Sequence, residues 1–330
     1  MEAGHFRSDL PFEDAVSLFK TYVELIEVET TSYCNRTCSF CPNSFIDRRS
    51  TQSTMPESAW EAILTGLRSV EYDGTFVWSR YSEPLSERRV IDRIRQVREI
   101  APSCRIAINS NGDYLDAAYL RELEEAGLDR LFIDIYRPDA DVYDLAVAYE
   151  YHNKFLERVD RTSSVIGTTP ELAHRIDSEE MEIVTHVRNI AAMKAMDLSD
   201  RGGLIKIARK TTRVSPCYLP YKHLVIDWDG SIVICCQVRS DSPEHASAVV
   251  GKIGTNGVGL VDAYAKLSGW RRALRSYGPK YGPCENCNLS EYDSTPFTRR
   301  ASAFLTNDRS SRVQLLKTIL RPVVRKRKRY

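Results

Sequence analysis

The sequence is 330 residues long, with 46 Lys and Arg against 45 Asp and Glu, a formal net charge of +1, 28% charged and 42% hydrophobic residues. That balance is ordinary for a folded chain, and the length allows one large domain plus a smaller one. It excludes an overall field that would recruit nucleic acid or an anionic membrane. No run approaches the ~20 apolar residues of a membrane span, and no basic start followed by an apolar core marks a signal peptide. The cytoplasm is the expected location, with no membrane and no nucleic acid as partner. Charge departs from balance only locally, at Arg321–Arg329, which carries six basic residues and no acid.

Residues 1–21 read as a lead-in with helical character. Tyr22–Glu29 is the first expected strand. A helix is expected to start at Thr54, Pro56 and Glu57, where Thr54 and Glu57 have capping-box spacing and Trp60, Ile63, Leu64 and Leu67 recur at helical period. Gly74–Trp78 reads as a second strand, followed by a helix through Val90, Ile91, Ile94 and Val97. Arg105–Ile108 is a third, followed by a helix from Leu115 to Ala126 that Gly127 stops. Arg130–Ile135 is a fourth, followed by a helical stretch from Val142 to Val159. Met181–Val187 is a fifth strand, and a sixth is expected near Leu204–Ala208. This alternation predicts an α/β fold built as a partial (β/α)6 TIM-like barrel over residues 22–209, not a closed barrel of eight units.

The pattern then changes. His223–Trp228 and Ser231–Cys235 are apolar runs joined by Asp229-Gly230, a strong hairpin turn. A helix through Leu260–Tyr277 follows, and then a Cys-x-x-Cys. Residues 210–295 therefore read as a small C-terminal α+β domain, and residues 296–330 as a helix or basic tail.

Nine cysteines in a chain without a secretory signal need a reason other than disulfides; clustered cytosolic thiols more often bind metal or do chemistry. Cys34, Cys38 and Cys41 have C-x3-C-x2-C spacing in a polar loop just past the first strand, which is where a barrel places its active-site mouth. Three thiolates suit three corners of a cubane iron–sulfur cluster and leave one iron without a protein ligand. A structural zinc loop, the alternative, normally uses paired C-x2-C units with four ligands.

This loop, with Phe40 just before the third cysteine, resembles the radical S-adenosylmethionine (SAM) superfamily. The resemblance implies that the open iron chelates SAM and that an electron from the cluster breaks its S–C bond to give a 5′-deoxyadenosyl radical. Tyr81-Ser82-Glu83-Pro84-Leu85, after the second strand, is similar to the Gly-Gly-Glu-Pro-Leu segment that holds the SAM ammonium, with Tyr-Ser in place of Gly-Gly. Asn109-Ser110-Asn111-Gly112, after the third strand, resembles the Thr-Asn-Gly that contacts the SAM ribose and methionine. The implied SAM contacts are thus Phe40, Tyr81, Ser82, Glu83, Asn109 and Asn111.

Further on, Cys217 precedes Gly230-x4-Cys235, and Cys284 and Cys287 follow. Four thiolates close a cubane to SAM. The arrangement resembles the Twitch domain, the shortened relative of SPASM, which implies one auxiliary [4Fe–4S] cluster on Cys217, Cys235, Cys284 and Cys287, and two clusters in all. A zinc ribbon on the same four cysteines is the alternative reading. Cys235 or Cys236 could be the ligand, and the glycine spacing favours Cys235. Cys104 and Cys236 are then spare.

The cysteine spacing is similar to that of the 2-deoxy-scyllo-inosamine dehydrogenase family of aminoglycoside pathways. Asp200-Arg201-Gly202-Gly203 looks like the Asn-Arg-x-Gly stretch of such proteins. The resemblance implies oxidation of a carbinol carbon to a ketone, with Arg201 touching the substrate hydroxyl or serving as its base, an unusual role for a guanidinium, and the auxiliary cluster taking an electron. It also implies a small sugar or aminocyclitol substrate and an external electron donor such as flavodoxin or ferredoxin. Epimerisation, with Cys236 returning a hydrogen atom, is the competing expectation. Peptide modification is disfavoured, because the 20 residues before the first strand are too few for a leader-binding winged domain. A cysteine-rich zinc or RNA-binding protein would suit the basic tail, but that tail lacks interleaved aromatics.

Overall fold

A computed structural model of the protein describes residues 3–137, 142–189, 198–208 and 212–289. Its strands are β1 (Leu25–Val28), β2 (Thr75–Trp78), β3 (Arg105–Ser110), β4 (Arg130–Tyr136), β5 (Ser163–Gly167), β6 (Leu172–Ile176), β7 (Glu182–Arg188), β8 (His223–Ile226), β9 (Ser231–Val233) and β10 (Val249–Lys252). The helices are α1 (Phe12–Tyr22), α2 (Glu57–Ser69), α3 (Val90–Ile100), α4 (Ala117–Glu125), α5 (Leu145–Val159), α6 (Leu219–Lys222), α7 (Leu260–Lys266) and α8 (Ser268–Leu274).

All ten strands belong to one sheet, in the order β10-β9-β8-β1-β2-β3-β4-β7-β6-β5. The six central strands, β8 to β7 in that order, run parallel. Antiparallel ribbons extend both edges. The end strands β10 and β5 do not pair with each other, so the sheet is an incomplete barrel.

Strand residues alternate between the two faces. Ile26, Val28, Phe76, Trp78, Ile106, Ile108, Leu131 and Ile133 are fully buried in one continuous core. Trp60, Ile63 and Leu67 of α2, Ile94 and Val97 of α3, Leu120 and Leu123 of α4, and Phe155 and Val159 of α5 belong to the same core. The intervening positions, which include Glu27, Val77, Asn109 and Asp134, face the barrel interior. Polar side chains on that face are the ones available for chemistry.

The sequence reading needs four corrections. The sixth parallel strand is β8, which pairs with β1, and not residues 204–208. Those residues are turn: Arg201, Gly202 and Gly203 all have positive φ, and the N–H groups of Gly203 and Ile205 both donate to the Asp200 carbonyl, which closes the chain on itself. The capping box at Thr54 is absent. Pro56 stands at the helix start without a side-chain cap, and Thr54 instead bridges Thr31 across the mouth of the cysteine loop. The expected helix through Leu260–Tyr277 is two short helices, α7 and α8. The β5–β6 hairpin, between α5 and β7, was not anticipated. The predicted hairpin at Asp229-Gly230 is present, with Gly230 at φ +81°. Residues 290–330, which include the tail at Arg321–Arg329, lie outside the described residues. Among the described residues, no helix is long and apolar enough to cross a membrane.

Candidate active site

The loop bearing Cys34, Cys38 and Cys41 leaves β1 and returns to α2 through a sealed neck. Ser32 N–H donates to the Ser53 carbonyl (2.8 Å), Met55 N–H to that of Thr30 (2.9 Å) and Cys34 N–H to that of Arg48 (3.0 Å). Arg48 is buried and pairs with Glu29 at the end of β1 and with Asp241 of the C-terminal region (3.0 Å). The loop is pinned on its far side as well. Arg36 forms a two-pronged pair with Asp113 (2.6 and 2.7 Å), and Asn35 bonds both Asp113 and Asn111. Phe40 packs on Tyr136 at the end of β4, with ring centroids 5.4 Å apart.

Within the loop, Cys34 lies close enough to Cys41 for their charges to interact. Burial pushes the Cys34 thiol up to about 11 and raises that of Cys41. Among the described residues no three His, Cys, Asp or Glu side chains are tight enough to enclose a single ion. The donor set fits a cubane: three thiols on one loop, braced from both sides, with no fourth ligand supplied. Thiolates form when metal replaces the protons.

Glu83 follows β2 and is 2% exposed. Its carboxyl accepts from the backbone N–H groups of Leu85 (3.0 Å) and Asn111 (2.8 Å) and from the Ser110 hydroxyl (2.7 Å). Burial still pushes it up to about 7. Glu83 thus ties the β2 loop to the β3 loop. Ser82 is buried beside it, and Asn109 donates to Ser79 (2.9 Å). Gly112, at φ +72°, is required: a Cβ there would lie 2.7 Å from Ile133 Cγ2.

A second set of thiols sits in the C-terminal region. Cys217, Cys235, Cys284 and Cys287 are all buried, and their charges interact with one another. Burial pushes Cys284 and Cys287 up to about 12. The guanidinium of Arg213 lies among Cys217, Cys284 and Cys287, held by the carbonyls of Ser215, Pro216 and Leu289. Four thiols beside one buried cation suit a closed anionic cluster. Cys104 is far from both sets. It precedes β3 at the opposite end of the strand from Asn109 and is 1% exposed.

Between the two sets lies Tyr81, 2% exposed, with the guanidinium groups of Arg80, Arg201 and Arg239 within 5.3, 5.7 and 4.7 Å of its ring centre. Its hydroxyl donates to the Gln237 carbonyl (3.0 Å). Arg80 pairs with Asp227, both side chains being fully buried, and reaches the Val238 carbonyl. Arg239 pairs with Asp241. Arg201 differs: among the described residues its guanidinium has no ion-pair partner, and its charge neighbours are Tyr81, Cys41, Cys236 and Tyr136. Cys236 lies near Glu27, Arg201 and Arg80. Its neighbour Cys235 instead faces Cys284 and Cys287.

Arg36, Arg48, Asp113, Tyr136, Arg213 and Glu27 were not singled out from sequence. Their partners lie up to 193 residues away, as in Arg48 with Asp241, and no local pattern marks them. The Arg80–Asp227 pair yields a prediction. Arg80→Met strands a buried carboxylate, so it should cost about 3–5 kcal/mol and lower the unfolding temperature of the intact protein by roughly 10 °C. Removing Asp227 as well (Asp227→Leu) should restore most of the loss.

The chain matches the radical SAM superfamily over residues 28–169 and an iron-sulfur cluster-binding domain, SPASM, over residues 217–288. This is a radical SAM enzyme. The first domain implies a [4Fe–4S] cluster and SAM, and the second implies additional iron–sulfur clusters. The S-adenosyl-L-methionine-dependent 2-deoxy-scyllo-inosamine dehydrogenase of Niallia circulans is 24% identical over 266 residues, 80% of this chain and 92% of that protein. A probable GTP 3′,8-cyclase of Methanocella arvoryzae is 28% identical over 152 residues, 45% of this chain and 46% of the cyclase. Among solved structures, BtrN in complex with AdoMet and 2-DOIA has a TM-score of 0.58 at 23% identity, covering 81% of this chain and 93% of that one. BtrN in an open conformation has a TM-score of 0.53 at 22% identity, covering 83% and 98%. These likenesses show the fold: the radical SAM domain is a partial barrel, and the cysteine-bearing C-terminal region continues its sheet through β8.

Proposed function

We propose that this radical SAM enzyme oxidises a carbinol carbon of an aminocyclitol or aminoglycoside sugar to a ketone. In this reading Cys34, Cys38 and Cys41 hold the SAM-cleaving cluster in a unit spanning residues 22–209. Cys217, Cys235, Cys284 and Cys287 hold an auxiliary [4Fe–4S] cluster in a unit spanning residues 210–295. When bound, the first cluster and SAM supply the 5′-deoxyadenosyl radical that removes a hydrogen atom.

The observation that carries the reading is the placement of Arg201. A buried guanidinium with no ion-pair partner among the described residues lies near Cys41 of the first thiol set and near Cys236, the neighbour of Cys235 in the second. A substrate oxygen bound there would accept from Arg201 while its carbon faces the SAM side. The second thiol set, whose Cys235 adjoins Cys236, is the proposed recipient of the electron left behind. The similarity to the Niallia circulans dehydrogenase over most of both chains supports the same chemistry. Phe40, Tyr81, Ser82, Glu83, Asn109 and Asn111 are the proposed surroundings of SAM. A cytoplasmic flavodoxin or ferredoxin is the proposed electron donor.

One observation favours a second reading. Burial raises the Cys236 thiol, so it keeps its hydrogen, and it lies near Glu27, Arg201 and Arg80. An epimerase would use it to return a hydrogen atom from the opposite side.

Anaerobic reconstitution should load about eight irons per chain, two cubanes. Incubation with dithionite, SAM and 2-deoxy-scyllo-inosamine should then yield a product lighter by two hydrogen atoms. Zinc without iron in the reconstituted protein would contradict the reading at its root.

A further inference from the structure

Removing a hydrogen atom from a carbinol carbon produces a ketone only if the hydroxyl proton also leaves. Arg201 cannot take that proton readily, because a guanidinium stays charged in proteins. Among the described interior carboxylates, Asp134 is paired with Arg188, whereas Glu27 has no ion-pair partner and faces Arg201. Glu27 is the third residue of β1, and its strand neighbours Ile26 and Val28 are fully buried in the core beneath the helices. Alternation turns Glu27 the other way, into the interior, where it is 8% exposed. Its register partners are Val77 on β2 and Val225 on β8, apolar residues that offer it nothing.

The groups that do face Glu27 are Arg80, Arg201, Cys236, Glu29 and the Ser79 hydroxyl. Most of these are already committed. Arg80 is held by Asp227 and the Val238 carbonyl, and its Nε is a buried donor without a partner. Glu29 accepts from Tyr81 N–H (2.7 Å) and pairs with Arg48. Ser79 accepts from Asn109, which leaves its own proton to donate to Glu27. Among the described residues here, Glu27 and Arg201 are the charged side chains without an ion-pair partner, and they carry opposite charge; the Arg80 Nε is a further donor without a partner.

We infer that Glu27 is the proton acceptor for the substrate hydroxyl, with Arg201 donating to the same oxygen. The inference rests on the dehydrogenase reading above. In the step, the carbinol C–H hydrogen goes to the 5′-deoxyadenosyl radical and the O–H proton goes to Glu27. The C–H bond breaks first; the O–H bond then breaks as the C=O π bond forms, and the remaining electron would pass to the auxiliary iron–sulfur cluster that Cys217, Cys235, Cys284 and Cys287 would hold. Burial raises the Glu27 carboxyl above the usual carboxylate range, against the pull of Arg80. A base of that kind is better matched to a hydroxyl than an ordinary surface carboxylate.

The test uses the full, cluster-loaded chain with SAM, dithionite and 2-deoxy-scyllo-inosamine deuterated at the reacting carbon. Glu27→Gln should keep its iron and still form deuterated 5′-deoxyadenosine at a rate within about threefold of the parent. Ketone should fall about 100-fold, in the range of a lost general base. Glu27→Asp, which keeps a carboxylate, should recover part of the ketone. A purely structural role would lower deuterium transfer and ketone together, and that result would overturn the inference. So would a Glu27→Gln variant that makes ketone at the parental rate, or, should Gln fail to fold, a Glu27→Asp variant that loses deuterium transfer in step with ketone. If the unmodified enzyme transfers deuterium but forms no ketone, the dehydrogenase reading itself fails, and Glu27 with it.

Discussion

Cys38→Ser removes about four of the roughly eight irons and abolishes formation of 5′-deoxyadenosine, whatever substrate is present. Cys34→Ser and Cys41→Ser do the same. The loop that carries the three proposed ligands is firmly framed: its neck is closed by three backbone bonds, and its far side is clamped by the Arg36–Asp113 pair. A cubane losing one of only three protein thiolates has no spare donor within that frame. Iron analysis with chromatography of the SAM products checks this. Retention of SAM cleavage in any of the three variants would mean that these cysteines are not the cluster ligands.

Cys284→Ala has the opposite signature. It should also cost about four irons, yet deuterium transfer from substrate to 5′-deoxyadenosine should stay within about threefold of the parent, while ketone falls by about 100-fold or more, because the substrate radical has no cluster to take its electron. Arg213 adds to this expectation. A fixed cation among Cys217, Cys284 and Cys287 favours the more negative, reduced state of a cluster held there. Equal loss of deuterium transfer and ketone would assign the second set of thiols a structural task instead.

What the sequence made legible was whatever it encodes locally. Cysteine spacing, the Asp229-Gly230 turn and the alternating strands each depend on residues a few positions apart, and the core helices follow from apolar residues at helical period. The sixth barrel strand was misplaced because an apolar run at 204–208 resembles a short strand, while Gly202 and Gly203, both at positive φ, commit it to a turn. The strand that replaces it, β8, was recognised as part of a hairpin. Its parallel pairing with β1, some 200 residues earlier, has no sequence signature. The capping box is absent because the helix starts at Glu57 with Pro56 at its N-cap, while the backbone at Thr54 is extended and bridges Thr31. In the candidate site, the cysteines proposed as ligands and the turn residues are legible locally, and the residues that clamp are not. Arg48, Arg213 and Glu27 look like ordinary surface charges in the sequence, and only the fold brings them inside.

The most direct test of the account follows hydrogen. The fully loaded enzyme is mixed under anaerobic conditions with SAM and 2-deoxy-scyllo-inosamine deuterated at the reacting carbon, and both products are analysed by mass spectrometry. The account predicts one deuterium in 5′-deoxyadenosine for every ketone formed. A product of unchanged composition that has exchanged its deuterium for a solvent hydrogen, and whose formation stops in Cys236→Ala, would contradict it and make the enzyme an epimerase.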